Sequence, residues 1–444
     1  MSTISLGRKE QLYAQTESTY GTPVAPGGAG AIKHLSCTLA MNEERTPRAD
    51  RKITRGLAEQ VCGKRSVDWS VDGYVIPSGT SGAAPDIAAL LAATFSSRVS
   101  NAATVASAAG VGGATLSSVS EMAAGDIVGL AIDDSLYAVC LQTVDDLSGA
   151  VTWTPALPSA PSIDDTVYQA VTYRLQTEPN LALTLHRLLD QEGQTASGCV
   201  PNEWNFSLAA GDMAKCRVQG QGKDTAFAGT AALQSGMDDT QTTLVYTGED
   251  VFEVGAWVAI DDEAMKITAV TGASNTLTVA RAEAGTSAAT HEAAAVIAPY
   301  RPTPVTSGSP IAGVRGRCLL DGANFTITAG EATIVENVKL RNDDFGSATA
   351  MGFAYPAGRE ATLRLEGFLT GDTGALIVRA KSGGTLPVML QAGDQPGATF
   401  AIYAPAFAPN IPAIEAPADA ETPLVLEGPA LETDGDDELI VAFL

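Results

Sequence analysis

Three histidines, His34, His186 and His291, are the residues best suited to acid–base or metal chemistry in this chain, and their spacing supports neither. None lies at ligand spacing from another His or from a Cys. His34 and His186 fall inside runs that read as strands, where an imidazole is usually a structural group. The adjacent acids Asp133-Asp134, Asp261-Asp262 and Asp343-Asp344 could share a proton or a metal only by facing one way, and neighbours on a strand face opposite ways. The run Asp434 to Glu438 lacks the spacing of an EF-hand loop and offers at most a weak surface calcium site. Gly110 to Gly113 resembles a piece of a Gly-rich loop but has no strand-to-helix unit after it, so it reads as a linker. No GxSxG, P-loop or HExxH sequence occurs. The expectation is a protein that is not an enzyme and holds no cofactor.

The charges point to association instead. Asn42 to Gly63 reads as a loop between two paired strands, far longer than the two to five residues usual there. It carries five bases, Arg45, Arg48, Arg51, Lys52 and Arg55, out of 27 in the chain. After Lys381 there is no Lys or Arg, while ten acids follow, from Asp394 to Glu438. A basic arm and an acidic patch on one chain favour head-to-tail contacts, which close into rings or run on as filaments. On charge alone, a solvated loop and a solvated acidic edge are equally consistent with this pattern.

These residues must be positioned by strands. The 444 residues exceed one compact core and imply two or three domains. With 45% hydrophobic and 18% charged residues the chain is globular, and its Gly-, Val- and Thr-rich text favours strands and turns. The net charge of -24 is opposite to that of a protein gripping nucleic acid through its phosphates. Met1 to Gln11 holds no signal-peptide core, and no apolar run is long enough for a membrane span. Six scattered cysteines without a CxxC pair read as reduced and mostly buried, in a cytoplasmic product.

Two internal duplications organise the chain. In the smaller one, Thr115-Leu116, Gly125 and Ala131-Ile132-Asp133-Asp134 match Thr243-Leu244, Gly255 and Ala259-Ile260-Asp261-Asp262, and the copies close on Tyr173-Arg174 and Tyr300-Arg301. They read as two small β modules. In the larger one, Val71-Asp72-Gly73-Tyr74-Val75 corresponds to Leu365-Glu366-Gly367-Phe368-Leu369. Each follows a strand with one apolar face: Val67, Trp69 and Val71 in the first, Ala361, Leu363 and Leu365 in the second. A short helix follows each, the first opened by Pro85 with Ile87, Leu90, Leu91 and Phe95 on one face, the second over about 373–380. Alternating strands are predicted at 181–188, 204–218, 386–391 and 399–404. The expected organisation is a discontinuous β domain (1–99 and 172–231), an inserted module (100–171), a second module (232–304) and a second β domain (305–444).

The opening Gly7-Arg8-Lys9-Glu10 to Thr19-Tyr20-Gly21-Thr22-Pro23 resembles that of phage tail tube proteins. So do the strand, charged loop, Trp69-Ser70-Val71-Asp72-Gly73-Tyr74 and Pro-started helix that follow. Gly198-Cys199-Val200 with Trp204-Asn205-Phe206-Ser207, and Asp343-Asp344-Phe345-Gly346-Ser347, are similar to further stretches of that family. The resemblance covers about two thirds of the chain, through the order of its elements more than through any one motif. It implies mainly-β, tail-tube-type sandwich domains, each with a short flanking helix and here duplicated in tandem, with the two small modules as inserts on the outside. It further implies a virion tail subunit assembled in the host bacterial cytoplasm, polymerising as stacked rings into a hollow conduit. Three chains would give a ring of pseudo-six-fold symmetry, or six chains if the duplication fails. The arm with Arg45, Arg48, Arg51, Lys52 and Arg55 would stack ring on ring. The partners would be a tape-measure protein and tail-end proteins, and DNA would pass through without specific binding. A baseplate hub, a capsid decoration protein and a carbohydrate-binding adhesin are the alternatives. The last requires exposed aromatic clusters, for which four Trp and ten Tyr are a small supply.

Overall fold

The computed structural model describes residues 7–48, 56, 59–132, 135–248, 252–417, 419 and 421–444. The chain is mainly β, as the alternation predicts. Its centre is a continuous antiparallel front sheet. The strand order is Ser36–Pro47, Gln60–Tyr74, Lys215–Gly222, Gly193–Ala209, Ile327–Val335, Glu360–Phe368 and Pro423–Leu431. One face of every strand is apolar. Leu39, Val67, Trp69, Val71, Trp204, Phe206, Val218, Ile334, Leu363, Leu365, Leu424 and Leu426 are all buried on it. Trp204 is fully buried, stacks on Phe206 at 5.8 Å and donates its indole N–H to Thr94 Oγ1 at 3.0 Å. Burying a side chain of this size contributes on the order of 2–3 kcal/mol.

A back layer of two sheets closes the core. One is built on Gln11–Glu17 and Ala182–Leu188. The other runs Phe95–Val99, Val171–Leu175, Ile440–Phe443, Phe400–Phe407, Leu386–Ala392 and Arg317–Leu320. The strands Phe95–Val99 and Val171–Leu175 therefore pair within a sheet built largely from the C-terminal segment. The 17-residue strand Gly193–Ala209 passes from the back layer to the front sheet. It turns at Gly198, whose φ of 61° is cheap for glycine alone, and a Cβ there would meet the Tyr20 ring and Lys223.

Two closed six-stranded barrels sit on the outer face of the back layer. The first uses Ala103–Gly110, Gly113–Leu116, Ile127–Ile132, Ser135–Val144, Ala150–Thr154 and Thr166–Tyr168. The second uses Ala231–Leu233, Thr243–Thr247, Trp257–Ile260, Glu263–Thr271, Thr276–Glu283 and Val296–Pro299. Taken in chain order, both close with the same neighbours: fifth, second, first, sixth, third, fourth. Leu116 and Ile132 in one, and Leu244 and Ile260 in the other, occupy the two barrel cores. The first barrel docks through Ile127, Leu136, Ala138 and Cys140 on Met389, Ala401, Tyr403, Ile440 and Ala442. The second docks through Trp257, edge-on to His186 at 5.5 Å. Its exit segment receives a hydrogen bond from Tyr13 Oη to Pro302 O at 2.7 Å.

Several local expectations change. The helix opened by Pro85 covers Ala88–Ala92 alone, and Phe95 begins a strand. The second helix is Gly374–Lys381. The stretch predicted as one strand over 204–218 contains a turn, because the chain reverses between Ala209 and Lys215. At both ends of the predicted loop 42–63 the described residues are strand, since pairing continues from Asn42↔Ser66 out to Pro47↔Gln60. Both faces of that extension are solvated, so it lacks the apolar alternation by which strands are recognised.

Candidate assembly surfaces

The extension forms a hairpin arm that leaves one end of the front sheet. Arg45 Nε donates to Glu43 Oε2 at 2.7 Å, and the Arg45 guanidinium holds the Glu43 carboxyl below its usual range. Arg48 NH1 donates to Glu59 Oε2 at 3.0 Å, and Arg48 N donates to Glu59 O at 2.9 Å. The arm's bases are thus interleaved with the acids Glu43, Glu44, Asp50 and Glu59. Arg51, Lys52 and Arg55 lie outside the described residues, and the structure places only Arg45 and Arg48 of the five. These two point outward from an exposed hairpin.

Beside the arm stands a second hairpin that the loop count did not isolate. Ile327–Val335 and Glu360–Phe368 stand to each other as Ser36–Pro47 and Gln60–Tyr74 do, and 336–359 joins them at the same end of the sheet. Within it Lys339–Leu340 pairs with Phe353–Ala354. The arm base grips its tip: Lys64 Nζ donates to Asp344 O at 2.7 Å and Arg65 N to Ala348 O at 2.8 Å. Phe345 at the tip is fully exposed. The sequence signal was present, a lone Phe between two Asp and a Gly, where turns normally hold polar residues.

At the feet of this hairpin Arg359 NH2 donates to Glu438 Oε2 at 2.8 Å and to Asp436 Oδ1 at 2.9 Å. Part of the acidic C-terminal stretch is therefore spent inside the chain, as is Asp394, which pairs with Arg315 at 3.2 Å. Glu336, 3% exposed, lies in the same cluster, and its Oε1 has no hydrogen-bond partner. Burial pushes its carboxyl up to about 7. Arg359 pulls against that rise, and Glu438 and Asp436 add to it.

The front sheet also offers an uncovered face and open edges. Its polar side carries Asp68, Asp72, Glu203, Glu331, Glu360, Glu366 and Glu427 against Lys215, Arg217 and Arg364. Cross-strand bonds order it: Asn205 Nδ2 donates to Glu331 Oε1 at 2.5 Å, and Arg364 pairs with Glu427 at 3.6 Å. At one edge Ser36–Pro47 pairs only with Gln60–Tyr74 among the described residues. At the other, 406–410 runs along Pro423–Leu431, with Ala408 N on Pro429 O at 2.9 Å and Asn410 N on Glu427 O at 2.8 Å.

The histidines have structural partners. His186 is buried between Thr195 Oγ1 and Val24 O, and burial lowers its pKa to about 4. His34 lies 3.1 Å from Ile32 O. His291 lies 2.8 Å from Asp261 and 2.9 Å from Glu263, and Arg281 clamps Glu263 through two 2.6 Å bonds. This buried network holds the 284–293 loop across the end of the second barrel, and spacing in the sequence gave no hint of it. Asp261 occupies the hairpin turn with φ 51°, whereas Asp133 and Asp134 lie outside the described residues. Five cysteines are buried and Cys62 is exposed on the arm. Among the described residues no group of three or more His, Cys, Asp or Glu converges to hold a metal. No described helix is long and apolar enough to cross a membrane.

The sequence model of the family described as Phage tail tube protein matches residues 7–430. No curated protein matches the chain.

Proposed function

The chain belongs to the phage tail tube protein family, and from that premise we propose that it polymerises as stacked rings into the hollow conduit through which a phage delivers its DNA. Family membership makes it a structural component of the virion tail that assembles with itself into a tube. The finer reading rests on one observation: two similarly ordered hairpin units are already joined edge to edge inside one chain. Glu203–Ala209, the last strand of the first unit, pairs with Ile327–Val335, the first strand of the second. The free edge of Ser36–Pro47 occupies in the first unit the place that Ile327–Val335 occupies in the second. The edge at 406–410 occupies the place of Glu203–Ala209. Repeating the internal junction between chains makes a head-to-tail contact that closes into a ring. Three chains would present six units, with six chains as the alternative.

In that ring the uncovered polar face of the front sheet lines the lumen. Its acids outnumber its bases, so phosphate is repelled and DNA slides without adhering. The two barrels, docked on the back layer, decorate the exterior. The arm bearing Arg45, Arg48, Arg51, Lys52 and Arg55 reaches the next ring. The tape-measure protein and tail-end proteins are the remaining partners, and assembly takes place in the host bacterial cytoplasm. Negative-stain electron microscopy with mass measurement of isolated rings tests this reading. Rings of three chains are expected. Rings of six would keep the tube and discard the three-chain arrangement, and a chain that stays monomeric within isolated tails would overturn the reading.

A further inference from the structure

Phe345 is a large apolar side chain that stands fully exposed to water. It is also held in place. Lys64 binds the carbonyl of Asp344, Arg65 binds that of Ala348, and Arg341 N donates to Gly352 O at 2.8 Å. Gly346 turns the backbone beyond it with φ 89°. A pre-organised apolar tip loses little entropy on docking, which is the property of a binding knob rather than of a solvated loop. The flanking Asp343 and Asp344 give the knob a negative collar.

A receptor of matching character lies at the opposite end of the same strand pair. Val335 and Glu360 are partners at the hairpin end, and Ile327 and Gly367 are partners at the far end, eight residues or roughly 26 Å away. There the front sheet and the back layer part to leave a cleft of about 270 Å³. Phe325, Ile327, Leu208 and Leu390 supply apolar wall, and Arg317 stands at its rim. Arg317 stacks on the Tyr137 ring at 3.7 Å and meets no carboxylate among the described residues. Arg315, two residues away and 66% exposed, is held by Asp394 alone among the described residues.

We propose that Phe345 of one chain inserts into the Phe325–Ile327 cleft of a second copy in the adjacent ring, with Asp343 and Asp344 facing Arg315 and Arg317. This rests on the reading of the chain as a stacked-ring subunit. A knob and a cleft at opposite ends of one strand cannot meet within a chain. They meet when copies are translated along the strand direction, and such a contact propagates without closing.

The test is a cysteine pair, Phe345→Cys with Thr326→Cys, in a Cys62→Ser background, cross-linked oxidatively after assembly. Thr326 is exposed at the cleft mouth. The expected result is a ladder of covalent multimers longer than one ring, absent from either single variant. In parallel, Phe345→Asp is expected to form rings with normal mass while lowering the yield of tubes at least tenfold. Normal tubes from Phe345→Asp together with no ladder would overturn this contact and leave the ring reading intact. Absence of rings and tubes even from the Cys62→Ser parent would overturn the reading itself, and this contact with it.

Discussion

Gln391 and Leu136 join two parts of the molecule that are 255 residues apart in the chain: the buried Gln391 side chain donates to the Leu136 carbonyl at 2.7 Å. The same amide accepts from Ala138 N at 2.9 Å and donates to Gly393 O at 2.8 Å, so one side chain satisfies both a barrel strand and a back-layer turn. Gln391→Ala leaves buried backbone groups of the first barrel unpaired, at a cost of about 1–3 kcal/mol. Limited proteolysis should then cut within 100–170 faster than in the parent, with the rest of the chain unchanged. Equal cutting rates would show that the apolar contacts of Met389, Tyr403 and Ile440 dock the barrel unaided.

Glu336 makes stability depend on pH. Its folded pKa, about 7, lies above the ordinary value of 4.5. The folded state therefore holds the proton more tightly, and that contribution is complete below pH 4.5 and lost as pH rises through 7. Glu336→Gln keeps the neutral form at every pH. It is expected to raise unfolding stability by about 1–3 kcal/mol at pH 8 and to change it little near pH 5. Denaturant titrations at the two pH values check this, and an equal gain at both would contradict it.

Reversal of Arg48, Arg51 and Arg55 to Glu on the arm is expected to give rings that no longer stack. At Arg48 the change also sets two carboxylates against each other, because Glu59 lies opposite. Sedimentation of the triple variant should show ring-sized species in place of tubes. Tubes of normal length would remove the arm from the stacking contact.

Strands with one wet face were the legible part of the fold. Val67, Trp69 and Val71, or Ala361, Leu363 and Leu365, alternate with polar residues because water touches their other side. The back layer was harder to read. Met389, Ala401, Tyr403 and Ala442 are apolar at positions that would be polar on a simple sandwich, because the first barrel covers them. Nothing local announces which surface an inserted module will cover. The arm failed for the opposite reason: Asn42 to Pro47 is a strand with solvent on both faces, so no residue type is excluded from either. Of its bases, Arg45 is paired with Glu43 and Arg48 with Glu59. Chain-internal partners such as Arg359 with Glu438 depend on long-range pairing that charge totals do not reveal.

Each barrel begins and ends side by side. Ala103 is the partner of Val167 in the first, Ala231 is the partner of Ile297 in the second, and the host strands that flank the first meet at Val99↔Val171. Around the first barrel the host chain therefore leaves and re-enters at nearly one point, and its own ladder is complete whatever lies between. Such a doorway lets whole domains be exchanged as cassettes. In the proposed ring the exterior could be changed in size and chemistry in this way with no change to the bore or the stacking faces.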